Sequence, residues 1–289
     1  MEKQALIEAI GRSGGKQNAL DEVDVLWDKI DYLQQTGRFG PLLSQLVKAN
    51  DKSNFLALVL EVNFAYQFEV RGLEMFYEVK QNSQKKSSVD FLHIATGGDS
   101  VFFELRLLQQ AKPITDWINK QLKKIKAYSV VRGGQFEQDQ VLRIQNTILN
   151  KVQDKHGKPI KFFSTAANVC NIVVIDASDS IFGAIDIYDC MLATYGDPSV
   201  QEVYKRQVFG LFQEDNSRYP QNIHKLATKY VHIRTTLHGV LFLFKKFNTG
   251  ILAYQLEQYL MWNPTCIDET KAQRIFADIT RAIPCYSPQ

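Results

Sequence analysis

The sequence has few of the features that define secreted, zinc-binding or membrane-spanning proteins. Its four cysteines are too widely spaced for a zinc knuckle and too few to stabilise a chain of 289 residues by disulfide bonds, so we expect buried thiols. They are Cys170, Cys190, Cys266 and Cys285. No apolar run approaches a membrane span, and the opening stretch MEKQALIEAIGRSGGK lacks the basic and apolar regions of a signal peptide. These absences predict a cytoplasmic protein that does not enter a membrane.

The composition is that of a globular protein with a substantial core. Hydrophobic residues make up 45% of the chain and charged residues 22%, which suits one large domain or two small ones. The net charge is only +3, but residues 111–165 contain eleven Lys and Arg against four Asp and Glu. A lysine-rich helix in this segment, NKQLKKIK, would suit contact with a polyanion, while a solvated helix face is the alternative interpretation.

Hydrophobic periodicity predicts a mixed α/β fold. The spacing of apolar residues predicts helices over 19–36, over 55–71 with Gly72 ending the second, from Pro113 onward, and from about 135 to 155. Alternating or continuous apolar runs predict strands over 73–80, within 89–107 on both sides of a glycine turn, over 171–178 and over 239–244. We therefore expect a central mixed sheet flanked by helices in residues 55–289, with residues 1–54 as an N-terminal helical extension.

The predicted hairpin VDFLHIATGGDSVFFELRL places three charges near the middle of apolar strands. Glu104 and Arg106 share one strand face, because side chains alternate along a strand. Whether Asp90 joins them depends on the turn, since cross-strand partners lie on the same face. A three-residue loop of Gly97, Gly98 and Asp99 would pair Asp90 with Arg106, and the two glycines can supply the positive φ that such a loop needs. We predict this loop.

A further acid is expected beside this cluster. Glu61 lies on the otherwise apolar stripe of the helix that precedes the sheet, where an ionised carboxylate is costly unless something pairs with it. Converging acids need a cation. Either a divalent metal takes oxygen ligands from Asp90 and Glu104, or Arg106 neutralises them in an internal ion pair.

The order of these elements resembles the PD-(D/E)XK nuclease-like superfamily, with a restriction-endonuclease-like fold. SSVDFLHI stands in place of the PD-containing strand and FFELRLL in place of the (D/E)XK strand, between the helix with Glu61 and a further helix and strand. The resemblance implies that Asp90 and Glu104 hold Mg²⁺ or Mn²⁺, that Glu61 assists, and that Arg106 takes the position of the motif lysine. It also implies nucleic acid as the partner, with backbone phosphates held by basic residues, for which we name Lys120, Lys123, Lys124, Lys245 and Lys246.

Arg106 is the main departure from the motif. Arginine remains protonated, so it can stabilise charge or orient water but cannot accept a proton. The expected function is metal-assisted phosphodiester hydrolysis of DNA or RNA. The alternative is a catalytically inactive nuclease-fold scaffold or interaction module, in which Asp90, Glu104 and Arg106 form a structural cluster.

Overall fold

The computed structural model describes residues 1–13, 22–81, 87–108, 134–163, 166–178, 185–196, 209–215, 221–246, 250 and 252–286. The chain begins with helices and then enters the sheet: α1 (Lys3–Arg12), α2 (Val23–Gln35), α3 (Gly40–Lys48), α4 (Lys52–Glu69), β1 (Met75–Val79), β2 (Val89–Ile94) and β3 (Ser100–Leu107). It continues with α5 (Gly134–Val152), β4 (Val169–Asp176), α6 (Ile187–Tyr195), α7 (Gln221–Lys229), α8 (Val231–Thr236), β5 (Gly239–Lys245), β6 (Leu256–Trp262) and α9 (Glu269–Ala282).

The described strands form one six-stranded mixed sheet in the spatial order β1-β2-β3-β4-β5-β6. The first three strands form an antiparallel meander, β4 and β5 lie parallel to β3, and β6 returns antiparallel to β5. Parallel neighbours require a crossover, and α5 lies in the first crossover while α6 to α8 lie in the second. The predicted α/β class with a mixed sheet flanked by helices is confirmed.

Each face of the sheet has its own hydrophobic core. The first core joins α1 to α4 and α9 to sheet residues such as Phe91, Phe103 and Ile172. The second core joins α5 to α8 to the alternate residues of the strands, such as Phe102 and Val173. Every residue of β4 is buried, which explains its continuous apolar run. The helices within residues 1–54 belong to the first core, so they pack together with the α/β part of the chain.

Several element boundaries differ from the predicted ones for identifiable reasons. Helix α4 begins at Lys52, because the Asp51 side chain accepts a hydrogen bond from the Asn54 amide at 2.8 Å and caps the helix there. The chain leaves α4 through Gly72, whose φ of +71° fits the predicted helix-ending glycine. Strand β6 was not among the predicted elements, and the helix predicted from Pro113 lies outside the described residues.

The cysteines are free thiols, but not all of them are buried. Cys170 and Cys190 are buried as expected, whereas Cys266 is partly exposed and Cys285 is exposed. The expectation of four buried thiols is therefore wrong for the two cysteines nearest the C-terminus, which lie outside the strands and helices. No helix in the described part of the chain combines the length and apolar character needed to cross a membrane.

Candidate functional site: a carboxylate and lysine cluster

The β2–β3 hairpin has a loop of the predicted length, one residue earlier than predicted. The Ala95 amide donates to the Asp99 carbonyl at 2.8 Å, which leaves Thr96, Gly97 and Gly98 as the loop. Both glycines have positive φ, as expected. Helix α9 accounts for the shift, because Asp278 accepts a hydrogen bond from the Thr96 amide and Arg274 forms an ion pair with Asp99. Asp99 is thereby held outside the loop, directly before β3.

The shifted loop changes which residues face each other. Ile94 pairs with Ser100 and Phe91 pairs with Phe103, so the register continues with Asp90 opposite Glu104. The predicted pairing of Asp90 with Arg106 is wrong. Because the loop still contains an odd number of residues, Asp90 remains on the same sheet face as Glu104, and the two acids lie closer together than predicted.

Asp90 lies where the ladder between β2 and β3 ends. Its Oδ2 accepts a hydrogen bond from the Leu105 amide at 2.7 Å, so the carboxylate takes the place of a main-chain acceptor on the neighbouring strand. The side chain is partly buried. Burial and the adjacent charge of Glu104 raise the pKa of Asp90 from its ordinary value to about 6.

Two lysines converge on Glu104, whose residue is only 1% exposed. Lys151, from the last turn of α5, donates to Oε1 at 2.7 Å, and Lys161 donates to Oε2 at 3.0 Å. Burial opposes the charged form of Lys151, but the charges of Glu104 and Asp90 outweigh it and raise the pKa of the ammonium. Lys151 is therefore a cation at neutral pH.

Glu61 approaches the same cluster from α4. Its Oε2 accepts a hydrogen bond from the Tyr77 hydroxyl at 2.9 Å, which holds the carboxyl group against β1. Burial raises the pKa of Glu61 to about 8, and the charge of Asp90 contributes in the same direction. Burial and the Glu61 carboxyl likewise raise the pKa of Tyr77, so its hydroxyl remains a donor. The prediction that Glu61 lies beside the strand acids agrees with this arrangement.

Arg106 does not neutralise the acids. It is exposed near the end of β3 and takes part in no ion pair between described residues, while the ion pairs of Glu104 are with Lys151 and Lys161. The alternative in which Arg106 neutralises the acids in an internal ion pair is therefore wrong, because two lysines from outside the hairpin reach Glu104 instead.

The residues proposed to hold nucleic acid lie elsewhere or outside the described chain. Lys120, Lys123 and Lys124 fall outside the described residues. Lys245 lies at the end of β5, two strands away from β3, with its Nζ 4.2 Å from the centre of the Tyr254 ring. Lys246 follows it and is exposed. The structure does not bring this pair to the carboxylate cluster.

The donor set suits a hard divalent cation that arrives with further oxygen ligands. Among the described residues, no group of three or more His, Cys, Asp or Glu side chains is arranged to hold a metal. Asp90 and Glu104 still provide two neighbouring carboxylates, and Mg²⁺ is commonly held by one or two carboxylates together with water and substrate phosphates. Each Glu104 oxygen already accepts one ammonium. A cation at this pair would therefore share Glu104 with Lys151 and Lys161.

Sequence reasoning missed Lys151, Lys161 and Tyr77. A signal for Lys151 was present: it lies seven residues after Ile144 and three after Ile148, on the buried stripe of α5. A lysine on an apolar stripe needs an acidic partner, and Glu104 is that partner. Lys161 follows an irregular segment after α5, where no periodic pattern indicates its direction.

The chain is thus a mixed α/β protein in which acidic and lysine side chains lie together where the pairing between β2 and β3 ends. Comparisons with protein-family models, with curated proteins and with solved structures found no match for this chain.

Proposed function

We propose that this protein is a metal-dependent phosphodiesterase that acts on nucleic acid, with the carboxylate and lysine cluster as its active site. The observation that carries the proposal is that the carboxyl groups of Glu61 and Asp90 are partly buried beside other acids without a cationic partner among the described residues. Neither forms an ion pair with a described residue, and the pKa of each is raised by burial first and then by a neighbouring acid, which is Asp90 for Glu61 and Glu104 for Asp90. A purely structural cluster would pair its acids and lower their pKa values, whereas acids held in this condition are typical of functional sites.

The order of elements around the cluster supports the same proposal. Helix α4, the meander β1 to β3, helix α5 and the parallel strand β4 follow one another as in the PD-(D/E)XK nuclease-like superfamily, which the sequence resembles. In that superfamily the acids of the second and third strands hold the metal. Asp90 and Glu104 occupy these strands here and face each other.

In the proposed mechanism, Asp90 and Glu104 would hold Mg²⁺ or Mn²⁺, and the ion would supply Lewis-acid assistance to phosphodiester hydrolysis. Lys151 remains protonated and lies within hydrogen-bond distance of Glu104, so it orients that carboxylate and stabilises negative charge that develops on the phosphate. Lys161 does the same from the other carboxylate oxygen. These lysines, rather than Arg106, supply the positive charge that the motif lysine gives in the superfamily. Glu61 accepts a hydrogen bond from the Tyr77 hydroxyl and adds a third carboxyl group beside the proposed metal ligands.

Cleavage of labelled DNA and RNA in Mg²⁺ and in EDTA tests the proposal. We expect the wild type to cleave at least one of these substrates only with the metal, and Asp90→Asn to lose at least ~100-fold, because metal assistance contributes several kcal/mol. Asn can still accept the Leu105 hydrogen bond, so the fold is preserved. Asp28→Asn, at an exposed position of α2, is the matched control. Metal-independent cleavage, or equal rates for both variants, would contradict the proposal.

One observation favours a second candidate, a structural cluster in an inactive nuclease-fold scaffold. Both oxygens of Glu104 are already bound by ammonium groups, which is the arrangement of an internal ion-pair network. This candidate expects no cleavage by the wild type and no response of thermal stability to Mg²⁺. If the cluster is structural, Mg²⁺ should change the thermal stability of neither the wild type nor Asp90→Asn. If the cluster is a nuclease site, Mg²⁺ should stabilise the wild type but not Asp90→Asn.

A further inference from the structure

A large groove lies beside the candidate site and has a basic lining. It has a volume of about 940 Å³, near the upper end of the size range of ligand pockets. Its charged and titratable lining residues are Asp154, Lys155, His156, Lys225, Lys229 and His232. We call this feature the basic groove. Its described lining residues include three lysines and one carboxylate, so the groove is positively charged.

Asp154, the one acid among the described lining residues of the basic groove, has its carboxylate engaged by its own loop. Asp154 Oδ1 accepts hydrogen bonds from the His156 and Lys158 amides, both at 2.9 Å, and these bonds lower the pKa of Asp154. Gly157, with a φ of +77°, completes the turn, and a bridge between Gln153 and Pro159 closes it. The loop therefore presents the exposed Lys155 and His156 from a fixed backbone.

The opposite wall presents two more lysines at helical spacing. Lys225 and Lys229 are four residues apart on α7 and both are exposed, so their ammonium groups lie on one side of that helix. A hydrogen bond from the Gln153 side chain to the Lys229 carbonyl at 3.2 Å joins the backbone of this α7 wall to the chain that follows α5.

The basic groove is linked to the carboxylate cluster through two shared elements. Asn150, in the last turn of α5, and Gln153, directly after the helix, line the groove, while Lys151 of that turn donates to Glu104. His232 lies within hydrogen-bond distance of the Lys161 carbonyl, at 3.3 Å, and the Lys161 side chain also reaches Glu104. The groove and the cluster therefore share the end of α5 and the segment around Lys161.

We propose that the basic groove binds the phosphate backbone of the nucleic acid whose cleavage is proposed for the carboxylate cluster; the inference thus rests on that proposed function. The lining residues that the structure describes include no Phe, Tyr or Trp, the side chains on which unpaired bases stack. Lysines that contact phosphates bind without regard to base sequence. The groove accordingly recognises the backbone and holds the strand beside the cluster.

Fluorescence anisotropy in EDTA tests the inference without any cleavage. The probes are two labelled duplexes of different base sequence and a labelled single strand, titrated at several salt concentrations. Lys225→Gln/Lys229→Gln should weaken binding at least about tenfold for both duplexes and reduce the slope of log K against log salt by about two, one for each lost phosphate contact. Lys48→Gln/Lys52→Gln removes the same charge from exposed positions of α3 and α4, on the other face of the sheet, and should change neither quantity.

Three results would overturn the inference: no binding of either duplex by the wild type, equal binding by the groove variant and the wild type, or an affinity that depends on base sequence. Binding through these lysines to phosphatidylserine vesicles, with no binding to the nucleic acids, would assign the groove to a membrane surface instead. Cleavage in Mg²⁺ separates this inference from the proposed function. If the wild type cleaves while the groove variant binds normally, only the groove assignment fails; if the groove variant loses binding but nothing cleaves, only the nuclease proposal fails.

Discussion

At the scale of single residues, Glu61 and Asp90 are the acids of the cluster whose ionised forms are most unfavourable. Glu104 is nearly inaccessible to solvent and has two ammonium partners, whereas the other two acids are partly exposed and have hydrogen bonds from neutral donors. Their pKa values rise because burial penalises the carboxylate and neighbouring acids repel it. A cation that enters the cluster would relieve both effects.

Glu61→Gln should stabilise the protein at high pH when no metal is present. The pKa of Glu61 is raised from 4.5 to about 8 in the folded protein, so the folded state holds a proton that the unfolded state releases. The free energy of unfolding of the wild type therefore falls as the pH rises from about 4.5 through about 8. Gln keeps the acceptor for Tyr77 without the charge, and we expect it to add about 2 kcal/mol at pH 8.5 and little at pH 4.

Urea denaturation in EDTA at the two pH values measures this difference. Glu214→Gln, at an exposed position, is the control and should show no such dependence on pH. A Glu61→Gln variant that is less stable than the wild type at pH 8.5 would show that the ionised carboxylate is stabilising, which is the opposite of the expected effect.

At the scale of elements, the hairpin turn decides whether the cluster exists. The odd loop length keeps Asp90 on the face of Glu104, and α9 fixes the loop through Asp278 and Arg274. The sequence was sufficient to predict the loop length, because two adjacent glycines indicate positive φ. It was not sufficient to predict the position of the loop, because the contacts that fix it come from α9, almost two hundred residues later in the chain.

Gly97→Ala should destabilise the hairpin. Gly97 has a φ of +125°, and a Cβ atom there would lie 2.8 Å from Nε of Arg274, the residue that holds Asp99. We expect a loss of about 1–3 kcal/mol from backbone strain and from displacement of that arginine, measured by thermal or chemical denaturation.

Gly11→Ala is the matched control for the hairpin substitution. Gly11 lies in α1 with open space at the Cβ position, so alanine should stabilise the protein by about 0.5–1 kcal/mol. If Gly97→Ala is as well tolerated as Gly11→Ala, the turn does not constrain the hairpin as described.

At the scale of the whole molecule, apolar patterns predicted five of the six described strands and the helices that flank the sheet, whereas the site depended on long-range contacts. Strands β4 and β5 were recognisable because strands buried on both faces are continuously apolar. The lysines of the cluster were not, because Lys151 and Lys161 reach Glu104 across 47 and 57 residues of chain. The local excess of positive charge in residues 111–165 included both lysines, so composition indicated the region without indicating their partner.

Isothermal titration of Mg²⁺ into the wild type and into Asp90→Asn tests most directly whether the cluster is a cation site. We expect saturable binding of one Mg²⁺ by the wild type and by Asp28→Asn, and the loss of that binding in Asp90→Asn, because Asp90 and Glu104 together form the carboxylate pair. Titrations in which the wild type binds no Mg²⁺, or in which Asp90→Asn binds it equally well, would contradict the assignment of a cation site to this cluster.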